Sequence, residues 1–295
     1  MRNIKIITDS CADLGTDLRA QYDIGYVQMH IVYNGEEKPA TLDWDLYTPR
    51  ELYDILRAGG RITTTQVPVE DYTNAFTAAV TAGCDVLYVG CSSALSGSIN
   101  TGMVVAKKIM AEYPEARICC VDALNSCLGQ GLLTVTAAQM RDAGKTLDEI
   151  VSWLEENKLC CHQFATVESL EYLARAGRVK AAKAFFGNLM GVKPILISDA
   201  RGQNYAIKKA KGRKGSMAEI VAQLKAVIVN PEEQTVFVGH ADCIEDGQAL
   251  CEMVRREIGC KDVYLNYIGP IIGVCTGPGT LSVYAFGTKV ETVGE

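Results

Sequence analysis

Hydrophobic and polar positions follow two alternating periods in the first half of the chain. Short apolar runs are typical of buried strands, and apolar residues that recur every three or four positions predict amphipathic helices. The predicted strands lie at 4–8, 85–89 and 117–121. The predicted helices lie near 72–79, 99–113, 128–135 and 147–154. Strands that alternate with helices of this length indicate crossover connections and a mainly parallel sheet.

The second half is less regular and predicts a second α/β unit. Its apolar runs lie at 164–167, 193–197, 235–238, 262–267 and 281–286, with helical patterns at 216–229 and 245–258. The polar segment Glu155–Lys158 ends a predicted helix, so we place a domain boundary there and expect domains at 1–158 and 159–295. Because no Pro-, Gly- or Ser-rich linker separates them, we expect the two domains to share a close interface.

Composition and charge exclude several classes of protein. The 295 residues are 48% hydrophobic and 22% charged, an ordinary balance for a globular chain. Net charge is −6, which argues against a broad nucleic-acid surface. No apolar run approaches the roughly 18 residues of a membrane span, and the N-terminus lacks the pattern of a secretory signal. The 12 cysteines include no C-x-x-C pair, so we expect buried free thiols and a cytoplasmic location. Three histidines offer few ligands for a metal, and we expect no metal or cofactor.

Hydroxyl-bearing segments next to predicted helix starts are the first candidates for binding chemistry. Ser96 follows a predicted strand and precedes the helix near Ile99, so it can act as an N-cap or help to bind an anion. Gly97 would let a ligand approach the backbone. Thr64, Thr65 and Gln66 stand before another predicted helix, where they can shape a turn or face Ser96 across a crevice. Together these groups suit a carboxylate or a phosphate, and the residue types alone do not distinguish the two.

Familiar catalytic and nucleotide-binding motifs are missing. Neither G-x-G-x-x-G nor G-x-x-x-x-G-K-[ST] occurs. The segment Gly90–Ala94 approaches a G-x-S-x-G nucleophile elbow but ends in Ala instead of Gly. Arg178 beside Gly177 is either a surface ion-pair partner or part of an anion site, and the basic run at 208–214 is a solvated face or a docking surface.

Taken in order, several segments resemble the DegV family of bacterial fatty-acid-binding proteins. The matching segments are ITDSCADL at 7–14, TTQ at 64–66, LSGS at 95–98, DALNSCLGQGLL at 122–133, LEYLARAGRV at 170–179 and IGPIIGVCTGPGT at 268–280. The resemblance implies a parallel-sheet α/β domain followed by an α/β domain with a mixed or antiparallel sheet. It also implies one long-chain fatty acid, such as palmitate, stearate or oleate, held in an apolar tunnel.

The resemblance also implies roles for individual residues. In the family a Thr and a Ser hold the fatty-acid carboxylate, and these positions correspond to Thr64 and Ser96. Arg178 is expected in the same polar network, with Thr65, Gln66 and Gly97 supporting it. Some members present their lipid to a separate ATP-dependent fatty-acid kinase subunit, so this chain is expected to bind lipid and to carry no catalytic residue of its own.

One position departs from the family pattern. The family usually has His where this chain has Cys275. A thiol is a weak donor and normally neutral, whereas an imidazole can donate to a carboxylate and offset its charge. Two alternatives therefore stay open: an enzyme acting on an acyl group or a small anion, with Cys275 or Ser96 as nucleophile, and a lipid sensor or store without a kinase partner.

Overall fold

Three β-sheets and ten helices make up the part of the chain that the computed structural model describes, residues 2–180 and 191–294. The strands are β1 (Asn3–Asp9), β2 (Ile24–Val27), β3 (His30–Tyr33), β4 (Glu36–Pro39), β5 (Thr63–Thr65), β6 (Cys84–Gly90), β7 (Ile118–Asp122), β8 (Cys161–Thr166), β9 (Val192–Ser198), β10 (Asn204–Lys211), β11 (Thr235–His240), β12 (Asp262–Tyr267) and β13 (Leu281–Phe286). The helices are α1 (Thr16–Gln21), α2 (Pro49–Arg57), α3 (Val69–Thr81), α4 (Ser98–Glu112), α5 (Cys127–Asp142), α6 (Leu147–Asn157), α7 (Glu171–Ala176), α8 (Gly212–Val227), α9 (Ile244–Ile258) and α10 (Pro270–Thr276).

The first half contains a four-stranded parallel sheet in the order β2-β1-β6-β7. Its central strands are apolar on both faces, because helices cover both sides of a parallel sheet. Ile6, Ile7, Val86 and Leu87 are accordingly buried. The structure confirms the predicted α/β class and the strands at 4–8, 85–89 and 117–121.

The second half contains a six-stranded mixed sheet in the order β10-β9-β8-β13-β11-β12. β11 and β12 run parallel, and the other neighbours are antiparallel. Along β13, Leu281, Val283 and Ala285 join the apolar cluster formed with α8 and α9. Ser282 and Tyr284 point to the opposite face, because successive side chains of a strand alternate. That second face turns toward α5 and the first half of the chain.

A small antiparallel sheet, β4-β3-β5, was not predicted from the periodicity. Its strands have only three or four residues, and β4 is exposed along its whole length, so no apolar pattern marks it. The pairing of Ile31 in β3 with Thr64 in β5 fixes the position of the predicted hydroxyl segment.

The two halves share one continuous core. Leu128 of α5, Phe237 of β11 and Tyr284 of β13 belong to the same buried cluster as the parallel sheet. The Tyr53 hydroxyl of α2 also donates to the Ile268 carbonyl at 2.8 Å, a buried contact between distant parts of the chain. The parallel sheet lies before residue 158 and the mixed sheet after it, and the division into domains at that point stays a prediction.

The sequence also predicts buried free thiols and no membrane-spanning segment. All 12 cysteines are free thiols, five of them buried and seven partly exposed. Within residues 2–180 and 191–294, no helix is both long enough and apolar enough to cross a membrane.

A buried carboxyl group lies where the two halves meet. Asp13 is 1% exposed and lies so close to Gly269, the residue before α10, that a Cβ there would be 2.3 Å from its Oδ1. The Asp13 carbonyl accepts a hydrogen bond from Asn266 at 2.8 Å. Burial raises the pKa of the Asp13 carboxyl to about 8, although the Cys127 thiol and the Gly269 N–H favour its ionised form. Asp13 is therefore protonated at neutral pH.

This protonation predicts a pH-dependent stability. Between about pH 4 and pH 8 the folded protein holds a proton at Asp13 that the unfolded chain has released, so the free energy of unfolding falls as pH rises. Asp13→Asn removes this titration. Relative to the wild type, we expect the variant to gain about 1 kcal/mol for each pH unit across this window. Urea denaturation at about pH 5, 6 and 7 measures the change, with exposed Asp45→Asn as control. A constant difference between Asp13→Asn and the wild type would contradict the assignment.

Candidate functional site

A cavity of about 310 Å³ lies between the carboxyl ends of the parallel strands and one face of the mixed sheet. This is the edge at which α/β sheets usually bind ligands, and the volume is at the lower end of the usual range for ligand cavities. Cys11 after β1 and Cys91 after β6 line one side, and α10 contributes Ile271 and Ile272. The floor is formed by the mixed sheet.

The floor shows the period-two pattern of a strand face. Gln163 and Ala165 of β8, with Val167 just beyond it, line the cavity, and so do Ser282 and Tyr284 of β13. The antiparallel register places Tyr284 beside Gln163 and Ser282 beside Ala165. The cavity therefore has a wall that mixes apolar and polar groups.

The predicted polar residues gather at the outer end of the cavity. Thr64, Ser96 and Cys275 line it and are partly exposed, and Gln66 and Arg178 line it and are exposed. The residues deeper in the wall are buried, so this polar group forms the mouth. The structure thus brings together segments from β5, the loop before α4, the end of α7 and α10.

Thr64, Cys275 and Arg178 form one side of the mouth. The Thr64 hydroxyl is hydrogen-bonded to the Cys275 thiol, and the Arg178 guanidinium lies near the same sulfur. Burial nevertheless raises the pKa of the Cys275 thiol to about 11, outweighing both neighbours. Arg178 donates from Nε to the Leu95 carbonyl at 3.2 Å and from Nη1 to the Ala176 carbonyl. Its remaining N–H groups donate to no described residue and can bind a carboxylate.

Ser96 lies next to α4, in the loop whose Leu95 carbonyl accepts the hydrogen bond from Arg178. The helix begins at Ser98 with Gly97 as the N-cap, so the predicted N-cap role of Ser96 is wrong by one residue. Its Oγ still accepts from the Ser98 N–H at 3.2 Å and donates to Ser98 Oγ at 3.1 Å. Because a hydroxyl proton can rotate, the Ser96 donor can be redirected to a ligand in the cavity.

Three residues expected to support the polar network take other roles in the structure, namely Thr65, Gln66 and Gly97. The Thr65 hydroxyl donates to the Glu37 carboxylate at 2.6 Å, so its proton points away from a ligand. The Gln66 side chain lies over Gly97, where an added Cβ would be 2.7 Å from Nε2. Gly97 therefore admits the Gln66 amide instead of a ligand, and it is not among the residues that line the described cavity.

A smaller cavity of about 130 Å³ adjoins the mouth from outside. Thr64, Arg178 and Cys275 line both cavities, and Arg175 lines the smaller one. The same three side chains therefore separate the interior from an outer space that carries two guanidinium groups.

Other candidate residues serve the structure instead of the cavity. The Asp242 carboxylate, 3.2 Å from the Arg50 guanidinium, also pairs with Arg57 of α2, and burial lowers the pKa of His240 to about 4. Within the basic run, Lys208 pairs with Glu219 and Arg213 with Asp246. None of the three histidines, all in the described part of the chain, lines the cavity. A Ser96 nucleophile thus has no histidine base at hand.

The deep polar residues of the wall are not predicted from the sequence. These are Ser126, Gln163, Asn204, Thr280, Ser282 and Tyr284. The signal was present in β13, where the apolar residues Leu281, Val283 and Ala285 alternate with Ser282 and Tyr284. The prediction of a uniform apolar run at 281–286 did not distinguish the apolar face of this strand from its polar face.

Comparisons with known proteins define the class and then the family. The fold is that of an α/β protein with a parallel sheet, a mixed sheet and a cavity of ligand size between them. The DegV family, described as one of uncharacterised proteins, matches residues 3–288. A DegV domain-containing protein from Clostridium perfringens is 42% identical over 292 residues, which is 99% of this chain and 100% of that protein. The chain belongs to the DegV family.

Two solved structures support the same fold. A DegV family protein from Thermus thermophilus, described as binding fatty acid, superposes with a TM-score of 0.87 at 28% identity. The match covers 97% of this chain and 100% of that chain. A DegV lipid-binding protein from Thermotoga maritima gives a TM-score of 0.84 at 25% identity, with 98% and 100% covered. These likenesses confirm the predicted resemblance and the two-part α/β fold.

The state of Cys275 gives a direct test of the nucleophile hypothesis. Because a thiol with a pKa of about 11 is protonated at neutral pH, we expect iodoacetamide to alkylate Cys275 slowly near pH 7. The rate should rise about tenfold per pH unit toward pH 10, since the thiolate is the reacting species. Peptide mass spectrometry of lipid-free protein measures the rate, with the partly exposed Cys84 in the same digest reporting on the reagent. Fast alkylation of Cys275 at pH 7 would support the enzyme alternative.

Proposed function

We propose that this protein binds one long-chain fatty acid, with the acyl chain in the cavity and the carboxylate at the mouth. The observation that carries the proposal is the convergence of Thr64, Ser96 and Arg178 at the outer end of a cavity with buried apolar walls. Palmitate, stearate and oleate are the candidate ligands. The two related structures that are described as lipid- or fatty-acid-binding support the same chemistry.

Burial of the acyl chain provides most of the favourable free energy of binding in this proposal. Burial of an apolar chain contributes roughly 0.8 kcal/mol per methylene, before the costs of ordering and desolvation. Leu173, Leu196 and Ile271 supply buried apolar wall for this purpose. Hydrogen bonds from Thr64 and Ser96 then orient the head group, and the Arg178 guanidinium offsets its charge.

A binding role fits the mouth better than catalysis does. A nucleophile needs a lowered pKa or an adjacent base, whereas Cys275 has a raised pKa and Ser96 has no histidine nearby. We therefore propose a lipid-binding protein that acts in the cytoplasm, where its free thiols stay reduced.

Removal of both head-group donors tests the proposal. In Thr64→Ala with Ser96→Ala, we expect palmitate affinity to fall at least about tenfold. A hydrogen bond to a charged group contributes about 1.5–3 kcal/mol when buried, and solvent at the partly exposed mouth reduces that contribution. Native mass spectrometry and displacement of a fluorescent fatty acid measure the change. The matched control is Thr77→Ala with Ser93→Ala, two residues outside the cavity lining. Extraction of the wild type should yield one fatty acid per chain. If the wild type neither carries nor takes up palmitate or oleate, the proposal fails.

We further propose that the bound carboxylate is presented to a separate kinase that phosphorylates it. The partly exposed mouth and the missing nucleotide motifs support this division of labour. We expect ADP release only when palmitate-loaded protein, ATP and the ATP-binding subunit of a bacterial fatty-acid kinase are combined. Cys275→His should raise the rate, because an imidazole donates more strongly than a thiol. If neither the wild type nor Cys275→His supports ADP release, while palmitate still binds, the protein is a lipid sensor or store.

A further inference from the structure

The deep end of the cavity carries polar groups that a plain hydrocarbon chain does not use. Ser282 is 1%, Tyr284 2% and Gln163 6% exposed, and all three line the cavity. They lie on adjacent strands of the floor, with Tyr284 opposite Gln163. The mouth residues, by contrast, are partly or fully exposed. The cavity therefore has one set of polar side chains at its mouth and another on its buried floor.

The inner polar group has unused hydrogen-bonding capacity. Ser282 Oγ is buried and makes no hydrogen bond of normal geometry with a described residue, although the Tyr284 phenol lies close to it. Gln163 Nε2 donates to Asn204 Oδ1 at 3.0 Å, while no described residue donates to the Gln163 side-chain oxygen. Buried polar groups are normally hydrogen-bonded. We therefore expect a ligand or solvent to pair with the polar groups on this wall, which are the Ser282 hydroxyl, the Gln163 side-chain oxygen and the Tyr284 phenol.

The fold separates this inner group from the mouth. Cys275, near the end of α10, contacts Thr64 at the mouth, whereas Gly269, just before α10, adjoins Asp13. Asp13 in turn lies against Cys127, which lies against Tyr284. The seven residues of α10 span about 10 Å, so Tyr284 lies well inside the cavity from the Cys275 end of the mouth. Gln163 lies nearer to the mouth, since Asn204 links it to the Arg178 carbonyl.

We propose that the cavity selects a fatty acid that carries a hydroxyl group along its chain, with Ser282, Tyr284 and Gln163 as the site that recognises it. A hydroxyl both donates and accepts, so it can pair with the free Gln163 oxygen and with Ser282 Oγ. A methylene at the same place leaves both unpaired. Sites built to bond a substrate hydroxyl discriminate strongly against the analogue that lacks it. This inference rests on the proposed function and narrows its ligand class.

Matched ligands test the proposal on the intact protein. Palmitate, ω-hydroxypalmitate and a set of mid-chain hydroxypalmitates compete with a fluorescent fatty acid for the lipid-free wild type. We expect one hydroxylated isomer to bind at least about tenfold more tightly than palmitate, which is about 1.4 kcal/mol at 25 °C. Palmitate that binds as tightly as every hydroxylated isomer would overturn the proposal.

Two variants locate the selectivity. Ser282→Ala and Tyr284→Phe remove one hydroxyl each, and we expect either change to lower the ratio of hydroxypalmitate to palmitate affinity toward one. Ser93→Ala, exposed and outside the cavity, is the control and should keep the wild-type ratio. A ratio that both variants leave unchanged would overturn the assigned site. If neither palmitate nor any hydroxypalmitate binds the wild type, the proposed function fails as well, which separates the two failures.

Discussion

The pleat of β8 and β13 is the constraint on which the rest of the site depends. These two central strands have an apolar helix layer on one face and the ligand cavity on the other. Phe164 and Val283 turn toward α8 and α9, so their neighbours Gln163 and Tyr284 must turn toward the cavity. A shift of one residue in register would exchange the two sets and place Gln163 in the apolar layer. The packing of the second half therefore determines the chemistry of the cavity floor.

The mouth offers an anionic ligand a solvent-exposed cation and no buried one. Arg178 is the only charged side chain that lines the described cavity, and it is exposed to solvent. Water and salt screen an exposed cation, so its attraction for a carboxylate is modest. The neutral Cys275 thiol adds no charge. In the proposed complex, affinity therefore depends mainly on the buried acyl chain, while the mouth fixes which end of the ligand faces outward.

The sequence predicted three of the four parallel strands, because their apolar runs and the helical spacings between them were both present. It missed the four-residue edge strand β2. The hydroxyl-bearing segments suggested that Thr64 could face Ser96, but only the family resemblance added Arg178 to the same site and drew attention to Cys275. Periodicity missed β3, β4 and β5, whose pairing positions Thr64, because strands of three or four residues carry too few positions for a pattern. The detailed use of each hydroxyl was also out of reach: Thr65 bonds Glu37, a partner 28 residues away. Local sequence does not encode such a contact.

The buried Asp13 carboxyl completes this electrostatic arrangement. It lies behind Cys127, a residue of the cavity wall, and close to the start of α10. An ionised carboxylate there would repel a second carboxylate drawn into the same poorly solvated region. Burial keeps Asp13 protonated at neutral pH, so this carboxyl adds no negative charge behind Cys127. In the proposed complex the carboxylate of the fatty acid lies at the partly exposed mouth, where its desolvation costs least.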